Sequence, residues 1–265
     1  MQRKRVGLIG FGFIAGFIYN EITTRPELGL DIAFVWNRSP ERMKDVPSDL
    51  ILEDLSDFAS TSPDLVVEMS HPDISRNYAK AILQKTNYMM LSVTAMADPQ
   101  LEAELKETAE ANGTTLFIPH GAMVGVDNLN EARDNWADVT ITFKKPPANV
   151  DLSESGTDAA EAGSAQVIYD GSVRGAAAKF PRNVNSMATC ALASLGFDQT
   201  RGIMIIDPNA TAMSAEVVAN GKDGSLLEIR KAEPAVGVSS PGMLTSQLGS
   251  IQRAVAGANT GLVFV

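Results

Sequence analysis

The sequence predicts an α/β fold: a parallel sheet with crossover helices comes first, and a second α+β domain containing a mainly antiparallel sheet follows. Three observations carry this. Strand-like and helix-like segments alternate through the first 120 residues, the order that crossover connections between parallel strands impose. A glycine-punctuated turn, "VGLIGFGFIAGFIY" from Val6 to Tyr19, joins the first strand to the first helix. After Pro119 short alternating segments follow one another with few helices between them, which suits antiparallel pairing.

Val6 to Ile9 ends a buried strand and Phe13 to Thr24 forms a helix. The basic start before Val6 also admits a secretory signal, but the apolar run passes into Asn20-Glu21 without an A-x-A-like step, so the strand-turn-helix reading holds. Leu30 to Trp36 and Leu65 to Met69 are the next strands, Asp73 to Thr86 has helical spacing, and Tyr88 to Val93 is again a strand. Pro99 to Asn112 is a charged helix closed by Gly113, and Thr114 to Ile118 is the last strand of this half. Val139 to Phe143 and Gln166 to Tyr169 alternate like strands. Between them Pro146 to Ser164, poor in large apolar residues and holding Asp151, Glu154, Asp158 and Glu161, reads as a mobile surface loop. Asn183 to Leu195 is a helix, and Gly202 to Ile206, Ala215 to Ala219 and Leu226 to Arg230 are strands. Ser240 to Ala258 is the last helix, with Leu244, Leu248, Ile251 and Val255 as its core stripe. The expected domains are 1–120, 121–240, and a C-terminal helix and strand over 241–265 that return toward the first.

The turn carries chemistry. Gly10, Gly12 and Ala15 match G-x-G-x-x-G/A between a strand and a helix, the Rossmann-type fingerprint of dinucleotide binding. Gly10 permits the tight turn, Gly12 removes a side chain where a pyrophosphate approaches, and the helix that opens at Phe13 and Ile14 offers free N–H groups. The second strand ends in Asn37-Arg38-Ser39, where an acidic residue would grip the ribose of NAD. No acid stands there. Arg38 suits the 2′-phosphate of NADP, so NADP is favoured over NAD, with a solvated loop charge as the other reading of the same arginine. Ligands of such sheets sit beyond the carboxyl ends of the strands, which draws Ser70 and His71, Ser92 and Val93, and His120 to Ala122 into the candidate site.

Composition bounds the partners. A formal net charge of -10 and no basic stripe argue against nucleic acid. No run reaches the roughly 20 apolar residues that span a bilayer, so the cytoplasm is the expected compartment and no membrane partner is expected. The single cysteine, Cys190, lies in an apolar helical run and reads as a packed thiol. Two separated histidines and one cysteine form no metal-ligand set.

The stretches "VGLIGFGFIAG", "LSVTAMAD" from Leu91, "PHGAMVGVD" from Pro119, "KKPP" from Lys144, "KFPRNVNSMATCALASLGFDQT" from Lys179 and "SPGMLTSQ" from Ser240 together resemble the L-aspartate dehydrogenase family, nearest to the aspartate dehydrogenase domain-containing proteins of animals. The resemblance implies a dinucleotide-binding domain, a substrate and dimerisation domain, a homodimer, and reversible oxidative deamination of L-aspartate to oxaloacetate through iminoaspartate with NAD(P). It implies cofactor contacts at Ala122 and Asn185 and at Ser92-Val93; by itself Asn185 also reads as a helix-start cap. A dicarboxylic amino or oxo acid needs cations, and Lys144, Lys145, Arg174, Lys179 and Arg182 are the candidates, Lys179 first. The family's catalytic histidine, about eight residues after Asp207-Pro208, is missing: the chain has Ser214 and Ala215 there, and no histidine follows His120. His120 is the replacement candidate, with a polar hinge residue as its other reading. Either the chain is a dehydrogenase using another acid/base or with a changed substrate, or it is a non-catalytic NAD(P)-binding regulatory or scaffold protein.

Overall fold

The computed structural model describes residues 3–153, 164–234 and 241–256. They divide into two compact units: one within Met1–Leu91, Glu104–Pro119 and Gln247–Val265, the other within Ser92–Ala103 and His120–Ser246.

The first unit is a five-stranded parallel sheet in the order β2-β1-β3-β4-β5. Its strands are β1 (Lys4–Ile9), β2 (Leu30–Trp36), β3 (Leu65–Glu68), β4 (Asn87–Met90) and β5 (Leu116–Phe117), and the helices α1 (Phe13–Thr24), α2 (Pro72–Leu83) and α3 (Pro99–Asn112) connect them. Val6, Leu8, Leu30, Val35, Leu65, Val67 and Met89 pack with Ala15, Ile18 and Ile22 of α1 in one apolar core. Ala15 is fully buried there, which explains the small third position of the glycine motif. Two differences from the sequence reading arise in this unit. β5 shrinks to Leu116–Phe117 at the edge of the sheet. β4 ends at Met90, three residues earlier than expected, and Ser92 opens a 3-10 turn over Val93–Ala97 that belongs to the second unit, so Ser92 and Val93 follow the strand rather than form its last residues.

The second unit contains α4 (Val126–Glu131), β6 (Trp136–Lys145), β7 (Gln166–Ser172), α5 (Val173–Lys179), α6 (Asn185–Ala193), β8 (Arg201–Ile206), β9 (Ala212–Gly221) and β10 (Leu226–Pro234). Its sheet has the order β10-β9-β6-β8-β7 and is antiparallel except for the β6–β8 pair. Residues 139, 141, 143 and 145 of β6 are buried while their alternates are half-exposed, the period of a strand covered on one face. Helices cover that face: a Cβ added to Gly202 of β8 would lie 3.4 Å from both Met187 Sδ of α6 and Val173 Cγ2 of α5. α5 interrupts the expected run of strands. It begins directly at the end of β7, where Ser172 Oγ accepts from Gly175 N at 3.2 Å and caps it.

The last helix, α7 (Pro241–Val255), places Leu248 and Ile251 in the core of the first unit. The strand expected after it lies outside the described residues, as does 154–163 of the expected loop.

Candidate functional site

In the first unit the loops after β1, β2 and β3 emerge side by side, because β1 pairs with both of the others in parallel. Gly10 has φ +95°, and a Cβ there would meet Met69 O at 2.6 Å, so backbone conformation and the end of β3 both demand glycine. Gly12 is different. It has ordinary extended backbone at the N-cap of α1, and a Cβ would meet nothing within 4 Å. Nothing among the described residues requires glycine at 12, whereas an incoming pyrophosphate does. No side chain caps α1 and no acid occupies its first turn, leaving the N–H groups of Phe13 and Ile14 for an anion. The residues therefore fit a dinucleotide.

Asn37 shapes the neighbouring loop by donating from Nδ2 to Ser39 O at 3.1 Å. Arg38 is exposed and pairs with no carboxylate among the described residues. Beyond β3, Ser70 N donates at 2.6 Å to the carboxylate of Glu68, a fully buried acid that the sequence reading passed over although it interrupts an apolar strand. His71 accepts from Asp73 N through Nδ1 at 3.3 Å and caps α2, which gives this histidine a structural task.

In the second unit Asn185 opens α6. Its Oδ1 accepts from Thr94 N at 3.1 Å, fixing the Val93–Ala97 turn against the helix start, while the single hydroxyl proton of Thr94 is shared between Pro181 O at 2.8 Å and the same Oδ1 at 3.1 Å. Asn185 is thus not the cap of α6, a position held by Val184. With Oδ1 engaged, the amide's Nδ2 is the end that can donate to a ligand. Gly121 has φ +60° and turns the chain before Ala122, whose carbonyl accepts from Lys231 Nζ at 3.4 Å. His120 is half-buried, its Nε2 3.5 Å from Asp127 Oδ1.

Residue 127 to 247 matches the family described as "Aspartate dehydrogenase, C-terminal", and 10–119 matches "Homoserine dehydrogenase, NAD binding domain". An L-aspartate dehydrogenase 1 of Bordetella pertussis is 36% identical over 255 residues, 93% of this chain and 96% of that protein. The chain belongs to the aspartate dehydrogenase family. An aspartate dehydrogenase domain-containing protein of Danio rerio is 34% identical over 87% of each chain. The crystal structure of an aspartate dehydrogenase from Thermotoga maritima superposes with a TM-score of 0.75 at 25% identity, covering 99% of this chain and all of that one. As an aspartate dehydrogenase-like oxidoreductase with an NAD-binding domain, the chain takes a nicotinamide dinucleotide.

The cations that a dehydrogenase of this family could turn to a dicarboxylate are unequal. Lys144 Nζ is 2.6 Å from Asp207 Oδ2, Arg174 grips both oxygens of Asp198, and Arg182 Nη1 is 2.9 Å from Asp151 Oδ2. Lys179 ends α5 with its ammonium 5.7 Å from the Phe180 ring centroid, and Lys145 is buried beneath the sheet's covered face. Lys231, opposite Ala215 and paired with Glu233 at 3.1 Å, was invisible to sequence reading because strand register is a tertiary fact. Burial pushes the Cys190 thiol up to about 12, so it supplies no thiolate. Among the described residues no three of His, Cys, Asp and Glu converge as metal ligands, and no helix is long and apolar enough to cross a membrane.

Proposed function

We propose that this chain is an NAD(P)-dependent dehydrogenase interconverting L-aspartate with oxaloacetate and ammonia through iminoaspartate, working as a cytoplasmic homodimer and preferring NADP. The observation that carries the reading is the 36% identity to a protein named L-aspartate dehydrogenase 1 over 93% of the chain. The open space over Gly12 and the exposed Arg38 support the dinucleotide half of it.

A bound dinucleotide supplies the hydride acceptor. Gly10, Gly12 and the first turn of α1 hold the phosphates, with Asn37 and Arg38 at the ribose end and Ser70 and His71 on the next loop. Ala122 leaves room for a flat ring, and Asn185 donates from Nδ2 to fix its orientation. Ser92 and Val93 start the turn that Thr94 anchors on Asn185. Lys179 or Lys145 receives a substrate carboxylate. His120 Nε2 carries the proton, since 214 and 215 bear no imidazole.

One observation favours a second reading: the chain has two histidines, 71 and 120, and none in the segment where the family's acid/base belongs. A protein of that kind binds NAD(P)H without turning over aspartate. Fluorescence titration of NADPH, with and without oxaloacetate plus ammonia, separates them. Turnover supports the dehydrogenase, and saturable binding without turnover supports the binding protein.

A further inference from the structure

Lys144 and Lys145 are neighbours in sequence and opposites in structure. The pleat of β6 turns Lys144 to the half-exposed face, where Asp207 neutralises it. Lys145 is turned to the covered face and is only 9% exposed. Its ammonium donates to the Asn183 carbonyl at 3.3 Å and lies 5.2 Å from the Phe143 ring centroid. Among the described residues no carboxylate pairs with it.

The charged groups on the segments packed around it are engaged elsewhere. Asp207, whose N donates to the Lys145 carbonyl, holds Lys144; Asp151, bound through its backbone to the Asn183 side chain, holds Arg182; Lys231 and Glu233 hold each other. Glu216 pairs with Thr142 and so points to the opposite face. Lys179 stacks on Phe180. Burial alone therefore acts on the Lys145 amine and pushes it down to about 8.

A buried cation without a counter-ion is unfavourable for the fold by itself, and a carboxylate brought to it relieves that cost. The amine rests on Asn183, two residues before Asn185, and shares its sheet face with Ala215, whose partner on β6 is Phe143. We propose that Lys145 is the residue that receives a carboxylate of the substrate, the ligand's own charge completing an ion pair that the described residues leave half built. The proposal rests on the dehydrogenase reading and adds to it the group that selects an acidic substrate.

The test is succinate binding to the NADPH-saturated protein, followed by calorimetry from pH 7 to 9.5, in wild type, Lys145→Met and Lys145→Arg. In wild type, affinity falls as pH rises through about 8, and binding near pH 8.5 takes up a proton. Lys145→Met weakens succinate on the order of 10- to 100-fold, abolishes the proton uptake, and raises the melting temperature of the ligand-free protein at pH 7. Lys145→Arg, which stays charged, retains binding and loses the pH dependence. A wild type that reduces oxaloacetate while Lys145→Met leaves succinate affinity and proton uptake unchanged overturns the role of Lys145 and keeps the dehydrogenase. A wild type that binds NADPH but takes up no dicarboxylate overturns both.

Discussion

Ala215 of β9 stands directly opposite Phe143 of β6. On its other side it faces Lys231 of β10, so residue 215 lies in the covered face between an aromatic ring and an ammonium. Ser214, one residue earlier, pairs with Lys144 and points the other way. Positions 214 and 215, where the resemblance alone would look for a histidine, are therefore not equivalent. Only 215 shares a face with Lys145, and with Lys231, which reaches the Ala122 carbonyl.

The two motif glycines should fail differently. Gly12→Val puts a branched side chain into open space, costs about 1 kcal/mol or less of stability as a poorer N-cap, and abolishes NADPH binding. Gly10→Ala instead meets Met69 O and forces a positive φ, so it should destabilise by on the order of 1–3 kcal/mol from strain alone. Thermal melts and NADPH fluorescence read the two effects separately. A folded Gly12→Val with wild-type NADPH affinity would remove the dinucleotide assignment from this loop.

Arg38 has no described carboxylate to compete for its guanidinium. Arg38→Ala is expected to weaken NADPH by about 1.5–3 kcal/mol and leave NADH nearly unchanged. Equal losses for both cofactors would mean that Arg38 does not read the 2′-phosphate.

Much of the first unit was legible because its local signals agree. α1 and β2 fall on Phe13–Thr24 and Leu30–Trp36, the spans that the glycine turn and the apolar run mark. α5 was not legible. It starts without a break after β7 and contains Gly175, which reads as a helix breaker; a Cβ there would stand 2.2 Å from the Tyr169 hydroxyl, so a tertiary contact decides the residue. The strand expected through Val93 ends early because Thr94 is tied to Asn185, a partner 91 residues away. The same limit hid the site: Lys145 and Lys144 look alike until the pleat separates them, and Lys231 meets Ala215 only through the ladder.

Lys145 also sets a pH signature on folding. Its folded pKa, about 8, lies below the ordinary 10.5, so between those values the unfolded chain holds more protons and stability rises with pH. Below pH 8 the full penalty stands, roughly 3 kcal/mol by that shift. Cys190 opposes it: its thiol rises from 9.0 to about 12 on folding, so stability falls with pH across that window. Urea melts of Cys190→Ala from pH 7 to 10.5 isolate the lysine, and the rise should disappear in Cys190→Ala carrying Lys145→Met. A flat Cys190→Ala profile would mean that the amine is hydrated.

The last prediction concerns the histidine that the resemblance to the family would place near residues 214 and 215. If nothing replaces it, aspartate oxidation by wild type lacks the ~100- to 10,000-fold that general acid/base help typically supplies. Ala215→His should then raise turnover, because an imidazole there enters the covered face beside Phe143 and Lys231. Ser214→His is the control: it points toward Lys144 on the other face and should restore nothing, although it is adjacent in sequence. If His120 has taken over, wild type is already active, and His120→Asn should abolish turnover while NADPH still binds. A wild type that turns over rapidly and ignores His120→Asn would place the acid/base elsewhere, whereas an inactive one that neither histidine restores would favour the binding protein.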